Sequence, residues 1–371
     1  MNALFTPTHV GPYPVSHRVV MAPLTRMRTE AQNVPGTLMV DYYAQRASAG
    51  GLLISDATSV SPLGFAYVGA PGIYTEAQAR GWRRVTDAVH AKGGRIFLQL
   101  WHAGRQAHPA NIGGEVPVAP SALRSYEHSA IHDPDGEVTE VEQVLPRALK
   151  LEEIPRVVEE FRHAAALARQ AGFDGVELHA ANGYLPDQFL QDGTNQRTDA
   201  YGGSLENRAR FLFEVLDAIA SEWDASRIAV RLSPGSSYGT MSDSDPHATF
   251  SYVARRLDDY GLAYLHVVEP RVRGNEDVDA SASAVTAKDL RRVFTGTLIA
   301  AGGFTTDSAH RIIEAGDADL VAFGRLFISN PDLPERLRVG APLNRYDRST
   351  FYGGDARGYT DYAFYGATPV I

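Results

Sequence analysis

Eight short apolar runs recur along the chain, and each is continuous rather than alternating. They are RVVMAPLT (18–25), GLLISDATSV (51–60), RIFLQLW (95–101), GVELHAA (175–181), RIAVRLSP (227–234), YLHVVEP (264–270), TLIAAGG (297–303) and LVAFGRLF (320–327). A strand with one wet face alternates apolar and polar side chains. A run that is apolar throughout needs cover on both faces, as in a parallel sheet flanked by helices. Between the runs lie segments with helical periodicity. EEIPRVVEEFRHAAALARQAG (152–172) lines up Ile154, Val157, Val158, Phe161, Ala165 and Leu167 on one stripe, with charges opposite. ENRARFLFEVLDAIASEW (206–223) and TTDSAHRIIEAG (305–316) repeat the pattern, with Thr305 or Thr306 as the cap of the latter and Gly316 as its end. Eight strand–helix alternations predict an α/β fold, a single (β/α)8 barrel domain over residues 1–371. A doubly wound sheet is the runner-up, but it does not require eight such regular units. The 371 residues suit one barrel, since such domains routinely exceed ~250 residues.

Two connections exceed what a plain barrel needs. One runs from His102 to about Lys150. The other runs from Asn182 to about Leu205 and reads as irregular polypeptide. Both follow the C-terminal ends of strands, three and four, where barrel enzymes keep their sites. The tail 345–371 is too aromatic for a disordered end and is expected to pack back on the barrel. The net charge of −9 argues against nucleic acid or an anionic membrane as partner. With no cysteine there is no disulfide, thiolate nucleophile or cysteine-held metal. The N-terminus lacks a signal-peptide pattern, and no apolar run approaches the ~18 residues of a membrane span. A cytoplasmic protein, monomer or weak dimer, is the expectation.

The C-terminal rim of such a barrel would collect a definite set of groups. Strand one ends in Pro23, Leu24, Thr25 and Arg26, strand two in Ala57 and Thr58, and strand three brings Gln99, Trp101 and His102. Strand four brings His179, Asn182 and Tyr184. Gly302 and Gly303 end strand seven, and Phe323, Gly324 and Arg325 end strand eight. Paired glycines let backbone N–H groups approach an anion, and barrels often bind phosphate there. Arg231 inside an apolar run needs a partner, either a core carboxylate or an electron-rich ring of a cofactor. Gln99 raises the same question. His179 and Asn182 could aim donors at one oxygen and stabilise charge developing on it. The alternative is a core-satisfied histidine and a turn asparagine. Tyr184, a phenol with an ordinary pKa of ~10, holds a proton to donate at neutral pH.

Other signatures are weaker. Gly235 to Gly239 matches a G-x-S-x-G elbow with Ser237 as nucleophile, but Pro234 precedes it, no helical pattern follows at once, and the downstream histidines are His247, His266 and His310. No dinucleotide-binding glycine fingerprint, Walker A or H-E-x-x-H motif occurs. His102 and His108 could ligate a metal, yet nothing nearby completes a set, so no metal is expected.

MAPLTR (21–26), HAANGYLPDQFLQDGTNQRTDAYGGSLENR (179–208), AAGGF (300–304) and FGRLFISNPDLPERL (323–337) resemble the old yellow enzyme family, FMN-dependent ene-reductases, through nearly the whole chain. The resemblance implies a barrel holding non-covalent FMN. Gly302, Gly303, Gly324 and Arg325 would bind its phosphate, Phe323 would also line the cofactor, and Gln99 and Arg231 would hold the pyrimidine edge. Backbone around Pro23, Leu24 and Ala57 would meet the ring, and the Thr25 hydroxyl would bond a flavin carbonyl, as in the classical branch. Tyr67, Trp101 and Tyr352 would shape the substrate mouth. NADPH or NADH would reduce the flavin in the pocket that the substrate uses. Enones, maleimides or nitroalkenes would then be reduced, with His179 and Asn182 on the substrate oxygen and Tyr184 as proton donor. A serine hydrolase using Ser237 and a flavin-binding protein without turnover are the rival expectations.

Overall fold

In the computed structural model, which describes residues 3–279, 281 and 284–366, the eight apolar runs form the eight strands of a closed parallel barrel. They are β1 (Val19–Met21), β2 (Leu52–Ser59), β3 (Arg95–Trp101), β4 (Gly175–Ala180), β5 (Ile228–Leu232), β6 (Tyr264–Val268), β7 (Leu298–Ala301) and β8 (Leu320–Phe323). Each pairs with the next, and β8 pairs with β1 to close the ring. Every residue of β2, β4 and β5 is buried, as continuous runs require.

The helices α1 (Thr37–Arg46), α2 (Glu76–His90), α3 (Ile154–Gln170), α4 (Leu185–Leu190), α5 (Leu205–Ala220), α6 (Pro246–Asp258), α7 (Ala287–Arg291), α8 (Thr306–Glu314), α9 (Arg325–Ser329) and α10 (Leu333–Val339) lie between and after the strands. Helix α3 buries Ile154, Val157, Phe161, Ala164, Ala165, Leu167 and Ala168. Val158 is only half-buried, at the margin of the expected stripe. Thr305 caps α8 by accepting from the Ser308 N–H, and Gly316 follows the helix at φ +73°.

Two features differ from the sequence reading. The segment after β4 is not wholly irregular, since α4 opens right after Tyr184. A third long connection, Glu269 to Thr286, follows β6 and carries the small hairpin Val272–Arg273/Glu276–Asp277. The excursion after β3 has its own hairpin, His128–His132/Val138–Glu142, and its base is closed where Val118–Ala119 pairs with Arg147–Ala148. Arg26 and Arg28 donate to the carbonyls of Thr350, Phe351, Asp355, Arg357 and Gly358 and hold the tail across the end of β1. The last five residues of the expected tail, 367–371, lie outside the described residues.

The lower barrel is filled with apolar side chains. Val20, Leu52, Ile54, Phe97, Ala229, Tyr264, Ile299, Leu320 and Ala322 cluster there with Val10 and Val15 of an N-terminal hairpin, Thr8–Val10/Tyr13–Val15. The sequence reading missed that hairpin. Its turn needs Gly11: at φ +52° a Cβ would sit 1.8 Å from the Ser226 carbonyl oxygen. Phe97 stacks on Tyr264 with centroids 5.4 Å apart and is fully buried. Phe97→Ala should cost about 3–5 kcal/mol in urea unfolding, because nothing else in the closed ring can fill the space.

Candidate active site

The barrel changes character one layer above that plug. Glu177, two residues before His179 and therefore on the same face of β4, is fully buried. It accepts from Gln99 Nε2 at 2.7 Å and meets His266 Nδ1 at 2.9 Å. Burial pushes the Glu177 carboxyl up, but His266, Arg231 and Gln99 outweigh burial and hold it below its usual range. Burial lowers the Arg231 guanidinium, which Glu177 partly restores. Arg231 pairs in register with His179 and His266, is 9 % exposed, and its Nε has no hydrogen-bond partner. Glu177 is thus the core carboxylate that answers the Arg231 charge, and the Arg231 Nε is left without a hydrogen-bond partner. A carboxylate only accepts, so Gln99 must turn its NH2 toward Glu177. Its Oε1 is then the atom left to accept.

Strand β2 reaches the rim through a bulge, where its register against β3 slips between Ile54 and Ala57. Asp56 at that slip is buried and accepts from the Arg26 N–H at 2.8 Å and the Tyr43 hydroxyl at 2.5 Å. Next to it the Ala57 N–H donates to Thr25 Oγ1 at 3.2 Å. The Thr25 oxygen accepts, so its own proton is free to donate outward. Pro23 and Phe323 are buried, and Leu24 is half-buried.

Gly302 and Gly303 end β7 at φ +106° and +59°, and a Cβ on Gly302 would lie 2.9 Å from the Val272 side chain. Gly324 packs so that a Cβ would meet Leu24 Cδ2 at 3.3 Å. Arg325 stands at the first turn of α9 and is paired with Asp277 of the hairpin after β6. Arg271 of the same connection donates to the Gly302 carbonyl at 2.7 Å and leaves a second nitrogen without a partner. The sequence reading had not singled out Asp277 or Arg271 at this place.

The exit of β4 is fixed atom by atom. Asn182 and Gly183 take left-handed φ values of +55° and +71°, a conformation that asparagine tolerates and glycine favours. The Asn182 N–H donates to Ser233 Oγ at 2.7 Å, and Gln106 Nε2 donates to the Asn182 and Gly183 carbonyls at 2.8 and 2.7 Å. The Gly183 N–H donates to Asp187 Oδ2 at 2.8 Å, and Gln188 Nε2 donates to the Gly183 carbonyl at 2.7 Å. Gln106 belongs to the excursion after β3, so one long loop holds the turn of the other.

Tyr184 follows that turn and is 6 % exposed. Its ring meets His179 edge-on at 4.8 Å and Trp101 edge-on at 5.3 Å. Burial raises its pKa, keeping the phenol protonated. Burial, then the Arg231 charge, drives His179 well below its usual value, so the imidazole is neutral. Its Nδ1 is buried without a partner. Tyr67 stacks on Trp101 at 6.0 Å, and its hydroxyl lies 3.2 Å from that of Tyr184. Trp101 is fully buried behind the two tyrosines. Tyr352 stands on the outer rim, 52 % exposed, and accepts from Asn275 Nδ2 at 2.9 Å.

Two weaker readings find ordinary explanations. Ser237 is exposed in a turn with no helix until Pro246, and His266 is committed to Glu177. His102 Nδ1 accepts from the Gly104 N–H, and His108 caps a short turn at Ala110.

Arg231 Nε, Gln99 Oε1, the Thr25 proton and the glycine turn at β7 form a set that fits the polar edge and phosphate of a flavin mononucleotide. The chain matches the model of the NADH:flavin oxidoreductase / NADH oxidase family over residues 3–344. It is 47 % identical to 12-oxophytodienoate reductase 1 of Oryza sativa subsp. japonica, over 97 % of this chain and 93 % of that one. Among solved structures it is similar to morphinone reductase in complex with tetrahydroNAD, at 50 % identity and a TM-score of 0.91, covering 97 % of each chain. It is also similar to the old yellow enzyme homologue from Zymomonas mobilis, at 42 % identity and a TM-score of 0.92, covering 97 % and 99 %.

Burial pushes the Asp187 carboxyl up to about 7, against the Gln191 and Gly183 hydrogen bonds that favour its anion. The unfolded value is ~3.9, so the folded state binds this proton more tightly. The stability it lends is complete below about pH 4 and is lost as pH rises through about 7. Urea unfolding of Asp187→Asn across that range should show a flatter pH dependence than the parent.

Proposed function

The chain belongs to the NADH:flavin oxidoreductase / NADH oxidase family, that of the old yellow enzymes, and from that premise we propose that it reduces small electrophilic alkenes with Tyr184 as proton donor. It is a flavin-dependent oxidoreductase. Held without a covalent bond, FMN would supply the hydride chemistry that links NADPH or NADH to the β-carbon of an enone, maleimide or nitroalkene. The chain does the rest. Gln99 and Arg231 would hold the pyrimidine edge, Thr25 would donate to a ring carbonyl, and Pro23, Leu24, Ala57 and Phe323 would help hold the cofactor. Gly302, Gly303, Gly324 and Arg325 would take the phosphate, Arg325 being paired with Asp277.

His179 and Asn182 bind the substrate oxygen and draw electrons from the double bond. Neutral His179 presents an N–H there without adding a charge to the barrel. Tyr184 delivers its proton to the α-carbon. Tyr67, backed by Trp101, forms one wall of the pocket, and Tyr352 stands at the mouth. The chain carries no nucleotide-binding glycine fingerprint of its own, which supports a nicotinamide that shares the substrate pocket. The observation that carries the reading is the buried, partnerless Nδ1 of His179 beside the buried Tyr184 phenol.

Tyr184→Phe should slow flavin reoxidation by 2-cyclohexenone by ~10²–10⁴-fold, the usual worth of a positioned acid, while reduction by NADPH or NADH keeps its rate. Equal slowing of both half-reactions contradicts the assignment. His179→Ala should weaken binding of a phenol to the oxidised enzyme, read from the shift in flavin absorbance. An unchanged phenol affinity removes the oxygen clamp.

A further inference from the structure

Three tyrosine hydroxyls form one chain above the barrel. Tyr184 Oη lies 3.2 Å from Tyr67 Oη, and Tyr67 Oη lies 3.0 Å from Tyr238 Oη. Tyr184 is enclosed by His179, Trp101 and Tyr67. Tyr238 is only partly covered and sits in the turn between β5 and α6. Its N–H donates to Ser236 Oγ, and the next N–H, of Gly239, donates to Glu127. The Arg273 guanidinium, paired with Glu127, stands 5.8 Å from the Tyr238 ring. The turn Gly274 lies against that ring, where a Cβ would come within 3.2 Å.

We propose that Tyr67 and Tyr238 relay the proton of the reaction, so that the charge left by Tyr184 is handed outward to Tyr238. This rests on Tyr184 as the donor. As the C–H bond forms at the α-carbon, the Tyr184 O–H bond breaks. The Tyr67 proton moves to Tyr184 Oη, and the Tyr238 proton moves to Tyr67 Oη. Tyr238 is left as phenolate, and water at the rim returns its proton, so solvent supplies the proton that the alkene gains. The physical reason is burial. An anion on Tyr184 would sit enclosed among rings, whereas Tyr238 is partly exposed at the rim, with the Arg273–Glu127 ion pair beside its ring, and can exchange its proton with solvent. Each of the three hydroxyls can donate to one neighbour and accept from the other, as a relay needs.

Tyr238→Phe removes the hydroxyl and keeps the ring. In the FMN-loaded enzyme, reoxidation of the reduced flavin by 2-cyclohexenone should slow about three- to tenfold, a fraction of the ~10²–10⁴ that the donor itself is worth. FMN content and reduction by NADH should match the parent. Rates measured in mixtures of H2O and D2O should curve in the parent, where several protons move together, and become linear in Tyr238→Phe and in Tyr67→Phe. If Tyr184→Phe slows reoxidation but Tyr238→Phe leaves both the rate and the curvature unchanged, the relay is overturned and the donor assignment stands. If Tyr238→Phe is slow with its curvature retained, the hydroxyl only supports the fold and the relay is likewise overturned. If Tyr184→Phe itself leaves reoxidation unchanged, the donor assignment fails and the relay falls with it.

Discussion

A charged guanidinium inside a closed β-barrel is the constraint on which the site depends. Taking such a charge out of water is expensive unless it is balanced. Arg231 is balanced by Glu177, which is itself held by Gln99 and His266. The carboxylate turns the Gln99 amide so that its acceptor is left over, Arg231 adds to the burial that keeps His179 neutral, and one arginine nitrogen stays without a partner. The lower barrel contains none of this, being packed with Phe97, Tyr264 and aliphatic side chains. The result is a rigid apolar base under a polar layer whose unfilled hydrogen bonds match a planar, hydrogen-bonding ligand.

Precision at the top of the barrel comes from the loops, not the strands. The turn that aims Tyr184 has its backbone groups bonded to Ser233, Asp187, Gln106 and Gln188. Those partners come from the β5 exit, α4 and the excursion after β3. The hairpin after β6 plays a similar part on the opposite side, where it reaches Arg325 through Asp277 and Tyr352 through Asn275. Reacting groups tolerate only ~0.5 Å of slack, and the long connections supply the supports that a short turn could not.

The barrel was legible because a strand buried on both faces has no polar positions to hide. All eight runs became strands, although β1 and β8 are shorter than their runs: MAPLT leaves the sheet at Met21, and GRLF turns into α9. The N-terminal hairpin and the hairpin after β6 escaped notice because strands of two or three residues leave too short a pattern to read. In the site, Gln99 and Arg231 stood out as polar residues in apolar runs. The same signal marks Glu177 in GVELHAA and His266 in YLHVVEP, whose partnership only the folded barrel reveals. Asp187, Gln106 and Tyr238 carried no such signal. They lie in polar stretches, and their roles depend on contacts between segments distant in sequence.

The most direct measurement is FMN affinity and unfolding stability of the apo-protein, compared between the parent and Arg231→Met. If the buried guanidinium is kept for the flavin, its removal should weaken FMN binding by at least about tenfold, ~1.4 kcal/mol. The apo-protein should also lose stability, because the buried Glu177 carboxylate is left without the charge that balances it. Unchanged FMN affinity with a destabilised apo-protein would mean that Arg231 serves the core alone, and would contradict this account of the site.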